Sequence, residues 1–346
     1  MRPIRAVATA ITASLALVFA GCNSGPAGQA ISPGSGGNAR IGGVSANNSL
    51  SDPPYFLYAS PGGPAELRSP SSGAVIKVLG QFDQALTNNG FAESPDGKDA
   101  YVTLIGKKQL FIEQISTVTR KQTFFANGVQ PAVSPNEHYL AYAAGPNDID
   151  ILAVRNLSTG KTTLVNLSSL MGSSMNLLNG TITWLGDSSD IVVIPAGDAV
   201  ATASSTSPST ASTATSCSAV PKATCIIVVH LGVSNGAFTS HLVVILGISG
   251  NFKVFSGADM YSRTLIVATW GENTNLYNIT LSGSTADVIH LLTLPMVLPV
   301  AFDLLGKHFF YITGHGPTEL WVAKIASGHL VEAQRLTDNP TGEIAW

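Results

Sequence analysis

Two histidines are spaced so that they could share a metal ion. His230 and His241 flank Asn235-Gly236, and a two-residue hairpin turn there would place them directly opposite each other on paired strands. Opposed residues have Cβ atoms about 5 Å apart, which suits a shared metal ion. A three-residue turn would instead pair His230 with Ser240. Because the sequence offers no third ligand, we predict a solvent-facing or hydrogen-bonded pair and no metal site.

No other pattern in the chain indicates cofactor chemistry. The sequence has no His-Glu-x-x-His helix motif, no phosphate-binding loop and no dinucleotide-binding glycine motif. The formal net charge is −3, and the sequence contains no basic stripe that could neutralise nucleic-acid phosphates. We therefore predict no catalytic residue, no cofactor and no nucleic-acid partner.

The first 22 residues combine a basic start with a long apolar run. Arg2 and Arg5 precede apolar residues that continue to Ala20, which is the pattern of an export signal. The segment Val18-Phe19-Ala20-Gly21-Cys22 resembles the bacterial lipobox. The resemblance implies a signal peptide at 1–21 and a diacylglycerol anchor on the Cys22 thiol, which holds a protein stably on a membrane. An ordinary signal peptide with an incidental cysteine is the alternative.

The segment 22–53 that follows Cys22 is rich in Gly, Ser and Asn, with Arg40 as its only basic residue. Such a composition buries too little apolar surface to offset the entropy of ordering the chain. We predict a flexible tether with a random-coil span of roughly 30 Å, which would hold a domain just off the bilayer.

Cys217 and Cys225 are the remaining cysteines, and they lie close together near the end of a Ser/Thr-rich insertion at 197–222. In an exported chain, an even pair this close is predicted to form a disulfide, which would hold the base of the insertion. A metal or redox pair is the alternative, but the Cys-x-x-Cys spacing is missing.

The composition favours strands over helices in the rest of the chain. Only 11% of the 346 residues are charged, whereas 45% are hydrophobic and the chain has 34 Gly and 19 Pro. Many short buried segments joined by tight turns fit these values, so we predict an all-β fold.

A unit of about 40 residues repeats from residue 53 onward. Phe91-Ala92-Glu93-Ser94-Pro95-Asp96-Gly97 is followed, 40 residues later, by Pro131-Ala132-Val133-Ser134-Pro135-Asn136-Glu137. These turns resemble the WD40-like repeat of the TolB-type β-propellers, and the resemblance extends over 54–346. It implies a six-bladed β-propeller of four-stranded antiparallel blades at 54–346, with seven blades as the alternative.

The last residues are predicted to complete the first blade. Gly342-Glu343-Ile344-Ala345-Trp346 matches Gly180-Thr181-Ile182-Thr183-Trp184, the opening strand of the unit at 180–245. The first unit lacks such a strand, and Tyr55 to Tyr58 align with the second strand of the last unit. We therefore expect 342–346 to pair antiparallel with 55–59 and to close the ring of blades.

A binding surface is predicted on the face that carries the second-to-third loops and the blade crossovers, because long irregular loops on a rigid scaffold are common binding sites. The longest loops on this face are the crossover at 168–179 and the insertion at 197–222. A tolerated insertion without function is the alternative for the second loop. The predicted contact residues are Met171, Met175, Lys107, Lys108, Asp148, Glu272 and His315.

These features predict a lipid-anchored protein of the bacterial cell envelope that faces the periplasm or the exterior. We predict a monomeric, non-catalytic binding or scaffold protein, whose partner is an envelope protein or polymer. The alternative is a metal-dependent lactonase- or lyase-type propeller enzyme with acidic residues in the central channel. The candidate acids are Glu93, Asp259, Asp303 and Glu343. A purely structural sensor or assembly module is a third alternative.

Overall fold

The structure is a computed structural model. It describes residues 55–59, 63–81, 90–106, 109–144, 150–171, 175–186, 188–197, 209–211, 223–232, 237–246, 251–256, 264–270, 273–295, 297–302, 308–313, 319–326, 329–338 and 343–345. The predicted signal peptide, Cys22 and the tether lie outside these ranges.

Strands dominate the described residues and form six antiparallel sheets. Sheet 1 contains β1 (Phe56–Ala59), β2 (Pro64–Arg68), β3 (Val75–Gln81) and β25 (Glu343–Ala345). Sheet 2 contains β4 (Phe91–Glu93), β5 (Asp99–Ile105), β6 (Leu110–Ser116) and β7 (Gln122–Asn127). Sheet 3 contains β8 (Val129–Val133), β9 (Tyr139–Ala143), β10 (Ile151–Asn156) and β11 (Thr162–Asn166).

A short helix, α1 (Ser168–Met171), separates sheets 3 and 4. Sheet 4 contains β12 (Met175–Trp184), β13 (Asp190–Gly197), β14 (Ser209–Ala211), β15 (Ala223–Leu231) and β16 (Phe238–Leu246). Sheet 5 contains β17 (Asn251–Ser256), β18 (Thr264–Trp270), β19 (Asn273–Ser282) and β20 (Thr285–Pro295). Sheet 6 contains β21 (Val297–Phe302), β22 (His308–Thr313), β23 (Glu319–Ala326) and β24 (His329–Asp338).

The sheets follow one another in a closed cycle. The first strand of each sheet contacts the first strands of its two neighbours, in the order β25, β4, β8, β12, β17, β21 and back to β25. One buried hydrophobic cluster fills each of the six seams between neighbouring sheets. This cyclic packing of antiparallel sheets is the β-propeller arrangement, as the sequence predicted.

The C-terminal strand closes the cycle. β25 pairs antiparallel with β1, with Leu57 opposite Ala345 and Ala59 opposite Glu343. Ile344 is buried against Phe310 and its neighbours in the seam between sheets 6 and 1. The predicted pairing of the two chain ends is therefore confirmed, while Trp346 lies outside the described residues.

The Ser-Pro turns of sheets 2 and 3 are built alike. Ser94 Oγ donates to Asp96 Oδ1 at 2.8 Å and accepts from the Asp99 N–H at 2.9 Å. Ser134 Oγ makes the equivalent bonds to Asn136 Oδ1 and the Tyr139 N–H. These bonds satisfy the polar groups of the turn locally, which is why the same short motif marks both turns.

Sheet 4 departs from the sequence prediction in two respects. The predicted Ser/Thr-rich insertion contains a strand, β14, which pairs with β16 at the outer edge of the sheet. The first strand begins at Met175 instead of Gly180, with a register shift between Asn176 and Thr181. In the described part of the chain, no helix is long and apolar enough to cross a membrane.

Candidate functional site

Because the strands of each sheet alternate in direction, the propeller has two faces that carry different connections. We call one the turn face; it carries the first-to-second and third-to-fourth strand turns, such as 94–98 and 117–121. We call the other the loop face; it carries the second-to-third loops and the crossovers between sheets, such as 144–150 and 167–174. The predicted binding surface is the loop face.

Most of the predicted contact residues lie outside the described ranges. Lys107, Lys108, Asp148, Glu272 and His315 belong to this group. Each falls in a connection between the second and third strand of its sheet, so all five remain predicted contacts of the loop face.

Met171 and Met175 lie at the crossover between sheets 3 and 4. Met171 ends helix α1 and is 0% exposed, packed in the cluster that contains Leu167, Leu177 and Trp184. Its burial contradicts its predicted role as a surface contact, because the apolar side chain fills the seam beneath the loop. Met175 is the first residue of β12.

A buried glutamine at the loop-face end of β8 was not predicted. Gln130 has a φ of 57°, lies in a β-bulge and is 2% exposed. Its Nε2 donates to the Leu178 carbonyl at 2.7 Å and so joins the first strands of sheets 3 and 4, while its Oε1 is buried without a hydrogen-bond partner. The left-handed backbone of a non-glycine residue indicates local strain at this position.

Glu93 lies at the turn-face end of β4, at the seam between sheets 1 and 2. Both carboxyl oxygens are buried without a hydrogen-bond partner. Burial raises the pKa of Glu93 to about 8; the adjacent Tyr55 hydroxyl opposes this increase, and the Asp96 carboxylate adds a smaller increase. The neighbouring Tyr55 hydroxyl donates to the Gly97 carbonyl at 2.6 Å, and burial next to Glu93 raises the pKa of Tyr55 to about 12.

Glu93 therefore belongs to the interface between two sheets. Two other acids predicted for a central channel, Asp259 and Asp303, lie outside the described ranges. For Glu343 the structure describes the position in β25 but not the side chain. The residues that the structure describes contain no group of three or more His, Cys, Asp or Glu side chains that could hold a metal ion.

The two histidines of sheet 4 are not opposite each other. β15 and β16 pair His230 with Thr239 and His241 with Val228, so both predicted registers are wrong. The connection spans 232–237, which is longer than a two- or three-residue turn. The His230 Nδ1 lies 2.5 Å from Oδ1 of the buried Asp190, and the His241 Nε2 lies 2.8 Å from the Gly283 carbonyl oxygen. Both histidines are therefore hydrogen-bonded, as expected.

The same connection contains a Gly-x-Ser-x-Gly pattern at 232–236. In hydrolases this pattern joins a strand to a helix and exposes the serine as a nucleophile. Here it joins two antiparallel strands, β15 and β16, so the structural context of a nucleophile elbow is missing.

Cys225 is buried on β15 and is disulfide-bonded. The cysteine predicted as its partner, Cys217, lies outside the described ranges, and the pairing of these two residues remains a prediction.

Comparisons with known proteins identify the fold. No protein-family profile and no curated protein matches the chain. The solved structure of TolB from Acinetobacter baumannii aligns with a TM-score of 0.53 and 15% identity, over 84% of this chain and 65% of TolB. The nidogen/laminin complex structure aligns with a TM-score of 0.53 and 14% identity, over 84% of this chain and 96% of that one.

Oligogalacturonate lyase in complex with manganese aligns less well, with a TM-score of 0.47 and 11% identity. The chain spans slightly less than two thirds of TolB, and at these identities the likeness concerns the fold alone. The chain has a TolB-like β-propeller fold.

Proposed function

We propose that this chain is a lipid-anchored β-propeller of the bacterial cell envelope, which acts as a non-catalytic binding or scaffold protein through its loop face. The observation that carries this proposal is the lipobox-like segment ending at Cys22, followed by a tether composition and then the propeller. The chain enters sheet 1 at Tyr55, whose hydroxyl bonds the Gly97 carbonyl in a turn of the turn face.

Three described carboxyl groups, those of Asp96, Asp190 and Glu93, support a non-catalytic role because they act in the scaffold. Asp96 fixes the Ser-Pro turn of sheet 2, and its side-chain and backbone hydrogen bonds lower its pKa despite partial burial. Asp190 holds His230 on the neighbouring strand, and Glu93 lies inside a seam. A catalytic carboxyl would need access to substrate.

The proposed partner is an envelope protein or polymer, and the proposed state of the chain is a monomer. Two cationic residues (Lys107 and Lys108), two acidic residues (Asp148 and Glu272) and His315 fall in second-to-third strand connections of four different sheets. Polar groups of both signs on several loops suit a surface that recognises a large partner.

The anchoring part of the proposal is tested in the producing cell by Cys22→Ser, in which residues 1–21 are replaced by a signal peptide whose cleavage does not require a lipidated cysteine, because an uncleaved apolar run would itself hold the variant in the membrane. The wild-type chain is expected in the membrane fraction after a high-salt wash, whereas the variant is expected in the soluble fraction with an unchanged far-UV spectrum. Ser24→Ala is the matched control and is expected to behave like the wild type. A Cys22→Ser variant that stays with membranes in high salt would contradict the lipid anchor.

The binding part is tested with photo-crosslinking side chains at positions 107, 108 and 148, in intact envelopes. We expect a discrete crosslinked product from these positions and none from position 284, a matched control in the β19–β20 turn on the turn face. Crosslinks from position 284 alone would contradict the assignment of the loop face. Metal-dependent turnover of lactones or uronates by the purified chain would replace this proposal by the enzyme alternative.

A further inference from the structure

Exposed apolar side chains are concentrated on one side of the propeller. Within the described residues, eight large hydrophobic side chains are exposed, and six of them lie on the outer strands or outer turns of sheets 1, 2 and 3. The most exposed are Val118, at 66%, and Leu164, at 62%. The six are Val75, Ile76, Val78, Val118, Phe124 and Leu164. Such a concentration is typical of an interaction surface.

The same outer segments carry only positive charge. Segments 69–81, 117–127 and 157–166 contain four basic residues and no acidic residue, although the whole chain has a net charge of −3. The four are Lys77, Arg120, Lys121 and Lys161. The corresponding outer segments of sheets 5 and 6, at 283–295 and 327–338, contain three acidic residues and one basic residue. The basic character therefore distinguishes these three consecutive sheets from sheets 5 and 6.

Side-chain contacts join these three outer segments into one surface. Lys77 Nζ, from β3, donates to the Thr117 and Val118 carbonyls of the outer turn of sheet 2. Arg155, from sheet 3, donates to the Phe125 carbonyl at 3.0 Å and stacks over the Phe125 ring. We call the joined surface the basic rim; it is represented by Ile76, Val118, Lys121, Phe124, Lys161 and Leu164.

The basic rim adjoins the turn face, where the chain leaves the propeller. The turns 69–74, 117–121 and 157–161 lie at the same end of the sheets as Tyr55, the first described residue. As the random coil that its composition predicts, the segment of 32 residues between Cys22 and Tyr55 (23–54) would span roughly 30 Å, and the proposed anchor would then keep the bilayer within reach of the rim.

We propose that the basic rim docks on a phospholipid bilayer that contains anionic headgroups. Arg120, Lys121 and Lys161 supply cations for the headgroups, and Val118 and Phe124 supply apolar groups for the interfacial region. The acidic residues Asp96, Asp99 and Glu137 lie at the first-to-second strand turns of sheets 2 and 3, which are inner turns, so contact is made through the outer rim and not through the whole turn face. The inference depends on the proposed anchoring in one respect, which is the identity of the membrane that the rim contacts.

Strand addition by a partner protein fits the rim less well. The pairing of β3 with β2 has two register shifts and that of β7 with β6 has one, whereas β11 pairs with β10 without a shift, so strand addition is disfavoured at sheets 1 and 2. Bulges of this kind twist an edge strand away from a regular ladder and disfavour the addition of another strand. A bilayer needs no regular backbone ladder, and so the geometry favours lipid over an added strand.

The test uses residues 22–346 with Cys22→Ser, which lack both the lipid and the apolar run of the predicted signal peptide, and vesicles of phosphatidylcholine with or without 30% phosphatidylglycerol. We expect flotation with the anionic vesicles, little with the neutral ones, and loss of flotation in 0.5 M salt. The double variant Lys121→Gln with Lys161→Gln is expected to weaken partitioning ~10- to 30-fold, since each cation near an anionic surface strengthens partitioning roughly 3- to 5-fold. Val118→Ser is expected to weaken it several-fold.

Matched controls remove the same groups elsewhere. Lys324→Gln with Arg335→Gln removes two cations of sheet 6, and Ile289→Ser replaces an exposed apolar residue of sheet 5. Both are expected to partition like the parent chain. Flotation that is absent with anionic vesicles, or is reduced equally by rim and control variants, would overturn the inference.

A photo-crosslinking side chain at Thr119 separates lipid from protein as the occupant. In envelopes of cells that make the lipidated chain, crosslinks to phospholipid are expected; crosslinks to a protein instead would overturn the inference. Failure of the proposed anchor can be told apart from failure of this inference. If salt removes the wild-type chain from membranes while the Cys22→Ser chain still floats with anionic vesicles, only the anchor is contradicted.

Discussion

Glu93 is a carboxyl group that the fold keeps buried without a hydrogen-bond partner at the seam between sheets 1 and 2. The protonated form is favoured there because a buried carboxylate loses its hydration and because Asp96 lies nearby. Tyr55, the other titratable neighbour, holds its proton to about pH 12 and so remains neutral beside Glu93. The seam therefore tolerates Glu93 as a neutral acid.

The stability of the chain is expected to fall as pH rises from 4.5 to about 8. In this window the folded state keeps the Glu93 proton and the unfolded state has lost it, so the unfolded state is favoured by each increase in pH. The loss attributable to Glu93 is on the order of 4 kcal/mol by pH 9. Glu93→Gln should remove this loss, which denaturant unfolding at pH 5 and pH 9 would measure.

The exposed Glu332→Gln variant is the control for the Glu93 experiment. It should follow the parent curve. A Glu93→Gln chain whose stability falls between pH 5 and pH 9 as much as that of Glu332→Gln would show that Glu93 ionises normally in the folded state.

Two turn glycines with the same backbone differ in their surroundings. Gly73 and Gly160 have φ values of 70° and 72°, each in a third-to-fourth strand turn. A Cβ on Gly73 would overlap the backbone carbonyl of Leu336 in sheet 6, whereas a Cβ on Gly160 would have only Arg155 within 4 Å, at 3.8 Å. The first turn thus packs against a neighbouring sheet, and the second is open.

Gly73→Ala is expected to destabilise the chain far more than Gly160→Ala. The second variant carries only the strain of a left-handed alanine, about 1 kcal/mol, whereas the first must also displace the backbone of β24. We expect a difference of at least about 2 kcal/mol in the free energy of unfolding. An equal decrease in the free energy of unfolding in the two variants would mean that the backbone of β24 can move without loss of stability.

β25 is a three-residue strand whose removal would open an entire sheet. It supplies the inner neighbour of β1, and its Ile344 is buried between sheets 6 and 1. Without it, β1 would present an unpaired edge at the innermost position of sheet 1. The first strand of each sheet also contacts the first strands on both sides, so β25 is part of two seams.

Deletion of residues 342–346 is expected to cost several kcal/mol, because it removes a buried isoleucine and a backbone ladder. Against a total of roughly 5–15 kcal/mol, the truncated chain should be largely unfolded or aggregated. Thermal unfolding and size exclusion would measure this, with deletion of 41–45 as the control of equal length. A C-terminal truncation that melts like the control would contradict the closure of the ring by β25.

The whole propeller is cyclic, so its present ends occupy one of several equivalent positions. In sheet 1, Leu57 lies opposite Ala345, just as Glu93 lies opposite Ala100 across the Ser-Pro turn of sheet 2. Six residues separate Glu93 from Ala100, and 346, 55 and 56 already supply three of the equivalent six, so a three-residue linker copied from 95–97 should join 346 to 55 as an ordinary turn. New ends fit between Gly283 and Ser284, in a turn where nothing lies within 4 Å of a Cβ added at Gly283.

The free energy of unfolding of a circular permutant built in this way is expected to lie within about 1 kcal/mol of that of the linear chain of residues 55–346. A permutant opened between Ile279 and Thr280 is the control, since it cuts the ladder of β19 and should not fold. Denaturant unfolding followed by tryptophan fluorescence would compare the three chains. Failure of the first permutant alone would indicate that the two ends of sheet 1 are not joined as in the other sheets.

The sequence by itself determined the features that local chemistry dictates. The turn residues and their spacing predicted antiparallel strands in repeating units, because a Ser-Pro-Asp turn satisfies its own hydrogen bonds wherever it occurs. The Gly-x-Ile-x-Trp match predicted the pairing of β25 with β1, since a closed ring needs one first strand per sheet. The lipobox-like segment predicts export, which depends on a linear signal alone, and this stays a prediction.

Only the tertiary structure decided which side chains are buried and which surfaces adjoin. The sequence predicted Met171 as a surface contact, yet its side chain packs in the buried seam between sheets 3 and 4. The register of His230 depends on how long the β15–β16 connection is, which glycine positions alone do not fix. The environment of Glu93 and the joining of three outer segments into the basic rim arise from contacts between sheets, and those contacts have no local signature in the sequence.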